Sequence, residues 1–498
     1  MNLNTLKDFR HGVFGCFGRA KDALFNTMDA LLTEDRAHSF PELSLSAYFE
    51  RQWPSLYEAF EDGQIDQDQL RHVFVDFLPQ PEAGSSLWVG IDTSGIARPR
   101  SVTSADRSAQ YVHNLPKCEK PVTYGWQFST MVALPDTPSS WTYVLDQQRV
   151  STETTPAQVA FAQLSQVAPL LPEQTIAVLD RGYDSTWLWC QCSTLPLKGR
   201  LVRLKGNRCL YRVAPDRTGK QGAPRKDGDK LQPDDPDTHG TPSAQWQGQD
   251  AKQRAIEISW WHHVHVKGAR WLDLTVIRVV RPHATNTERD PRVSWFVWIG
   301  DQHTDIVKVA LGYVLRFSQE HGYRFDKHSL LWGEPHLRTP AQFERWSHIG
   351  AIAHNHLVLA RDLVAAELRP WENKYREPTP QQVRRGMHIL LPQLGTPARP
   401  PQPRGKSPGR AKGVKIGKAK RFSVVRKTPL ASRLAMWLSS TCIAAASRRC
   451  SLMKTSSRTV IAGVPTRLVG KKPGKSFLNG CGICAKNSES LGNQPQCV

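Results

Sequence analysis

The sequence predicts an α/β fold, a mixed sheet with flanking helices. A helical N-terminal region precedes it, a β-rich domain is inserted in it, and a basic, flexible C-terminal tail follows. Three observations predict this. Leu87 to Asp92 (LWVGID) is a short apolar run that ends in an aspartate, and so is Thr175 to Asp180 (TIAVLD). Both read as buried strands presenting a carboxylate at their C-terminal ends. The third is Leu311 to Lys327 (LGYVLRFSQEHGYRFDK), where Tyr313, Arg316, Glu320 and Lys327 stand in the spacing Y-x2-R-x3-E-x6-K. On a helix, offsets of three and seven put Tyr313, Arg316 and Glu320 on one face.

Taken in order, residues 1–82 read as helical. Ala47 to Phe60 and Gln67 to Phe77 carry apolar residues at helical spacing, with Pro54 and Gly63 as breaks. Either a small DNA-binding domain or a packing collar fits them. Residues 83–205 hold the strand ending at Asp92, strands at Tyr124 to Leu134 and Trp141 to Leu145, and a helix at Pro156 to Leu171. The strand ending at Asp180, a short helix from Asp184 to Cys192 and a strand at Arg200 to Lys205 follow. Three strands, helix, strand, helix, strand is the order of an RNase H-like core. Its first and fourth strands are neighbours, so Asp92 and Asp180 converge at the carboxyl edge of the sheet, where open α/β sheets bind ligands.

Residues 206–303 interrupt that order. Gly206 to Gln253 is polar and rich in Pro and Gly. Ala255 to Arg281 and Arg292 to Gly300 alternate and are rich in Val, Ile and Trp, as an inserted β-sheet would be. Trp260, Trp261, Trp271, Trp295 and Trp298 read mostly as core, and an exposed one could stack on an unpaired base. Residues 304–377 complete the core. Gly322 is expected to end or kink the Glu320 helix, leaving Lys327 on a following turn. His348, His354 and His356 read as ordinary core or surface histidines. Residues 378–498 read as a flexible basic tail, with Thr396 to Lys427 nearly devoid of core-forming residues and 428–498 Ser-rich and acid-poor.

Charge is concentrated in that tail. From Pro378 onward there are 23 Lys and Arg against one acidic residue, Glu489, whereas the first 377 residues hold 43 basic and 44 acidic. A cationic, Pro- and Gly-rich tail points to a polyanion, most simply nucleic acid. The N-terminus has no apolar run of signal-peptide kind, and Leu434 to Ala446 is too short to span a bilayer, so a cytoplasmic, nucleoid-associated protein with no membrane partner is expected. Ten cysteines form no regular framework. Cys481 and Cys484 make a C-x2-C pair without a second pair at zinc-ligand spacing.

Three carboxylates on two strand ends and a helix form the oxygen donor set that two divalent ions need for phosphodiester chemistry, without a Ser or Cys nucleophile or a His base. At these residues the chain resembles the DDE transposases of bacterial insertion sequences, in particular the group with a Tyr-Arg-Glu-Lys signature. The resemblance covers roughly residues 85–370: Asp92 in GIDTSG, Asp180 in VLDRGYD, the full four-residue signature, and the insertion between the second Asp and the Glu. It implies that Asp92, Asp180 and Glu320 are catalytic and hold two Mg²⁺ ions, for which Mn²⁺ can substitute. It implies that Tyr313, Arg316 and Lys327 grip phosphates near the cleaved end and that Arg203 contacts the DNA backbone. The expected activity is binding of terminal inverted repeats, hydrolysis of the element ends and joining of the 3′-hydroxyl to target DNA, by a homodimer on double-stranded DNA. Two rivals are an RNase H-like nuclease without strand transfer and a non-catalytic DNA-binding descendant.

Overall fold

In the computed structural model the described residues are 2–82, 84–111, 122–216, 223–287, 291–402, 411–415 and 417–426. Residues 428–498, with Cys481 and Cys484, lie outside them.

Five N-terminal helices come first: α1 (Leu3–Gly15), α2 (Lys21–Thr33), α3 (Phe40–Leu43), α4 (Trp53–Asp62) and α5 (Gln67–Asp76). The core follows as β1 (Trp88–Ala97), β2 (Ser108–Tyr111), β3 (Val122–Ala133), β4 (Tyr143–Val150), α6 (Pro156–Val167), β5 (Ile176–Leu179), α7 (Thr186–Cys192) and β6 (Gly199–Arg203). β3 and β4 lie antiparallel, as do β1 and β3, whereas β1, β5 and β6 run parallel. The order β4-β3-β1-β5-β6 is that of an RNase H-like core, with the short β2 added beside β3.

Local chemistry explains these choices. All four residues of β5 are buried, as a strand covered on both faces requires. α6 starts with a capping box between Thr155 and Gln158 and with Pro156 in its first turn, where a missing N–H costs nothing.

The insertion supplies β7 (Leu210–Arg212), β8 (Lys230–Leu231), β9 (Ala244–Gln249), β10 (Ala255–Val266), β11 (Ala269–Val280) and β12 (Val293–Gly300). These strands do not form a separate sheet. β12 pairs antiparallel with β6, so the described strands make one twelve-stranded sheet. Composition identifies strands but not their partners. Here the outer side of β6 needed hydrogen-bond partners and the returning chain provided them. Trp261, Trp295 and Trp298 are buried, while Trp271 is 66% exposed.

The chain then runs through α8 (Ile306–Gly312), a 3-10 turn (Tyr313–Arg316), α9 (Phe317–His328), α10 (Pro340–Ala360) and α11 (Pro380–Leu394). Gly322 neither ends nor kinks α9, and Lys327 lies on its last turn. The reason is packing: a Cβ at Gly322 would stand 2.6 Å from Thr142 Oγ1, so glycine is there for close approach. The tail expectation is also corrected. Residues 380–394 form α11, started by a Thr379–Gln382 capping box and buried through Val383, Met387, Leu390 and Leu391. Its apolar residues recur at helical spacing, a signal that the surrounding basic composition conceals.

α10 is buried along nearly its whole length and is the spine of the helical layer. Asn355 accepts from the Val144 N–H at 2.7 Å and donates to the Val144 carbonyl at 2.8 Å, sealing that point on the edge strand β4. α1, α2 and α4 pack around α10, and the buried Arg10–Asp29 pair (2.7 Å) joins α1 to α2. The buried Arg71–Asp146 pair (3.1 Å) joins α5 to β4. These contacts pack the N-terminal helices onto α10 and β4. Among the described residues no helix is long and apolar enough to cross a membrane.

His348, His354 and His356 all lie buried on α10. His354 bonds Asp326 (2.6 Å) and the Thr142 carbonyl (2.7 Å). Burial pushes the imidazole of His348 down to about 4. Below pH 6.5 the unfolded chain takes up a proton that the folded chain refuses, so stability is lost as pH falls from 6.5 towards 4. His348→Gln should therefore flatten the acid limb of the stability profile by about 1–3 kcal/mol. Urea unfolding at pH 7.5 and pH 5 checks this, and parallel profiles for variant and wild type would refute it.

Candidate active site

Register brings the predicted residues together. On the parallel pair β1/β5, Ile91 lies opposite Leu179, and on β5/β6 Leu179 lies opposite Val202. The next residues, Asp92, Asp180 and Arg203, therefore stand side by side where the parallel pairing stops, at the interstrand spacing of about 4.8 Å. Asp180 and Arg203 lie at strand ends, whereas β1 runs on past Asp92 to Ala97 along β3, so the strand end expected at Asp92 is corrected to a mid-strand position where only the β5 side has opened. Asp92 accepts from the Thr93 N–H at 2.8 Å, and Asp180 accepts from the Gly182 N–H at 2.7 Å in a tight turn.

The signature segment is laid over this edge. Gly312 passes so close to β1 that a Cβ there would stand 2.3 Å from the Trp88 ring. α9 is clamped to the neighbouring strands by three bonds. The Gln319 amide donates to the Thr130 carbonyl (2.8 Å), the Tyr323 hydroxyl to the Asp92 carbonyl (2.7 Å), and Lys327 Nζ to the Gly95 carbonyl (3.0 Å). Lys327 also stands 5.9 Å from the Trp332 ring centroid, and burial pulls its ammonium below the usual lysine range. In this arrangement Lys327 fastens α9 to β1. Tyr313 is buried against Phe296, ring centroids 4.5 Å apart, and burial raises its phenol.

Arg316 is the centre of the site. One guanidinium nitrogen lies 3.0 Å from Asp92 Oδ2 and 3.7 Å from Asp180 Oδ2, and the other lies 3.7 Å from Glu320 Oε1. All three predicted carboxylates thus surround a single cation. Burial pushes the Asp92 carboxyl up to about 6, with repulsion from Asp180 and Glu320 adding to it and Arg316 and the Thr93 N–H opposing. Burial alone would weaken Arg316 as a base, but Asp92, the Tyr313 phenol and the other two carboxylates hold its proton more tightly than usual.

These groups line a cleft of about 810 Å³, together with Thr93, Gln110, Gln127, Arg181 and Arg203. Arg181 directly follows Asp180 and is exposed. Sequence reading missed it, along with the polar wall of Thr93, Gln110 and Gln127. Adjacency to Asp180 was the available signal for Arg181, whereas the two glutamines come from β2 and β3 and only strand pairing brings them in.

The donor set is all oxygen, as hard divalent cations require. Among the described residues, no three His, Cys, Asp or Glu side chains stand close enough together to hold a metal as they are. The Arg316 guanidinium lies among the three carboxylates. By donor chemistry alone Asp92, Asp180 and Glu320 fit a divalent ion.

A family model described as DDE superfamily endonuclease matches residues 12–265, just over half of the chain. The chain belongs to that family. No curated protein matches it. As a DDE endonuclease it belongs among DNA-acting enzymes that generally use divalent metals. The match contains Asp92 and Asp180, and the segment from Tyr313 to Lys327 lies beyond it.

Two outcomes test this geometry. Gly322→Ala should cost about 1–3 kcal/mol, because the new methyl must push α9 away from Thr142. A midpoint unchanged in urea would show that the approach is looser than described. Arg316→Gln leaves Asp92 facing Asp180 and should cost about 1–3 kcal/mol at pH 7.5. Because the folded-state pKa of Asp92 lies above its unfolded value, folding is favoured as pH falls through about 6. Wild type shares that gain, but without Arg316 to oppose burial the Asp92 carboxyl is pushed up further, so the variant gains more and its deficit should shrink between pH 7.5 and pH 5; a deficit constant over that range would count against the ion-pair account.

Proposed function

We propose that the chain is a transposase of the Tyr-Arg-Glu-Lys group. It binds terminal inverted repeats as a homodimer on duplex DNA, cleaves the element ends by metal-dependent phosphodiester hydrolysis, and joins the 3′-hydroxyl to target DNA. One observation carries this reading. Arg316 and Glu320, which lie outside the family match, meet Asp92 and Asp180, which lie inside it, around a single point in one cleft. Two independent sequence signals converge on the same place.

In this reading Asp92, Asp180 and Glu320 hold two Mg²⁺ ions, which when bound activate the attacking oxygen and stabilise the leaving one. Arg316 presents a planar fork suited to bidentate phosphate contact, and its Nε has no partner in the structure. Arg203 and Arg181 line the cleft and offer further charge to the backbone on either side of the scissile phosphate. Tyr313 supports Arg316 from below through its packing on Phe296. Lys327 fixes the helix that carries Glu320, and contact with phosphate would require it to leave the Gly95 carbonyl.

The test is a cleavage and joining assay with a duplex bearing the element's own terminal repeat, with Mg²⁺ or Mn²⁺. Metal-dependent nicking at the repeat end should fall at least a hundredfold in Glu320→Gln and in Asp92→Asn, and the free 3′-end should join a second duplex. Nicking without joining would leave a nuclease of the same fold. Sequence-specific binding without any cutting would leave a DNA-binding descendant.

A further inference from the structure

A stretch of the basic tail is not free. The Phe422 N–H donates to the Val102 carbonyl (2.9 Å), the Val425 N–H to the Arg107 carbonyl (2.9 Å), and the Ala109 N–H to the Val425 carbonyl (3.4 Å). Val425 thereby forms a parallel bridge with Ser108, on the side of β2 away from β3. Arg107, itself 2% exposed, reinforces the joint by donating to the Phe422 carbonyl at 3.2 Å. This is strand addition, in which main-chain bonds to a sheet edge give affinity independent of sequence. The two residues of β2 that follow the bridge, Ala109 and Gln110, line the same cleft as Asp92, Asp180 and Glu320.

The segment that carries this joint bears only positive charge. Residues 411–426 contain Lys412, Lys415, Lys418, Lys420, Arg421 and Arg426, and no Asp or Glu. All six are exposed, and among the described residues none has a carboxylate partner. A run of exposed cations on a segment anchored to a strand that lines the cleft is a surface for a polyanion, because neutralising phosphates there releases counterions.

We propose that the basic segment anchored through Phe422 and Val425 at the edge of β2 forms one wall of the DNA path, and that its cations grip the backbone of a duplex lying in the Asp92 cleft. This rests on the DNA-processing reading of that cleft. It adds that part of the tail is a built element of the substrate site. Docking matters as well as charge: the β2 edge fixes where the cations stand relative to the carboxylates.

The experiment measures binding of full-length protein to a fluorescent duplex across a salt series, with Glu320→Gln as background so that cutting does not interfere. One variant carries Lys418→Gln, Lys420→Gln, Arg421→Gln and Arg426→Gln together, all at exposed positions. A second carries Val425→Pro, which removes the N–H donated to Arg107 and keeps every charge. The quadruple variant should lose about tenfold or more in affinity near 100 mM salt, and its log–log salt slope should be shallower by about 3–4. Val425→Pro should lose at least about threefold with its charges intact.

An unchanged salt slope in the quadruple variant overturns the proposal. Wild-type binding by Val425→Pro beside a weakened quadruple variant also overturns it, since the cations then act as an undocked tail. Nicking by the protein without the Glu320→Gln change is scored separately. Altered binding in both variants with no nicking by that protein would uphold this wall and sink the transposase reading. Normal nicking with unaltered binding would do the reverse.

Discussion

The site depends on one electrostatic constraint, the placing of two carboxylates on adjacent parallel strands at the same register level. Asp92 and Asp180 cannot both stay charged in a half-closed cleft without a cation between them. In this structure the cation is Arg316, at 3.0 Å and 3.7 Å. The same demand that holds Arg316 in place is what makes the position suited to divalent ions: a ring of oxygen atoms short of positive charge. Arg316 offsets the repulsion between the carboxylates in this structure.

Holding that arrangement takes an unusually firm attachment of α9. Gln319, Tyr323 and Lys327 each reach a main-chain carbonyl on β1 or β3, so the helix is fixed to backbone, and Asp326 adds a side-chain bond to His354 on α10. Gly312 and Gly322 permit the close approach from two sides, against Trp88 and Thr142. Behind this layer, α10 and the N-terminal helices bury ion pairs such as Arg10–Asp29. Such pairs add little net stability against an apolar equivalent but punish the loss of either partner. Such pairs therefore fix geometry more than they add stability.

The two sides of the core sheet are handled in different ways. Beyond β6 the insertion continues the sheet through β12, and beside β3 the short β2 accepts a strand from the basic tail. Each solution covers main-chain groups that would otherwise be open to another chain.

Much of this was legible in the chain itself. The apolar runs ending in Asp92 and Asp180 are strands because continuous Val, Ile and Leu runs of that length suit a sheet buried on both faces, and the order of elements was enough to make them neighbours. The spacing of Tyr313, Arg316 and Glu320 announced a shared helical face, because helix geometry is local. Three things were decided only by tertiary structure. Gly322 reads as a helix breaker by propensity, yet α9 runs through it, because the cost of glycine is small beside the packing it allows against Thr142. The insertion reads as its own sheet, yet it joins β6, because pairing partners are set by which strand edges remain unsatisfied. The tail reads as a free cationic arm, yet α11 is buried and Val425 is docked. A few apolar residues at helical spacing suffice to bury α11, and main-chain bonds to a sheet edge suffice to hold Val425, in a segment whose average composition is that of a solvated chain.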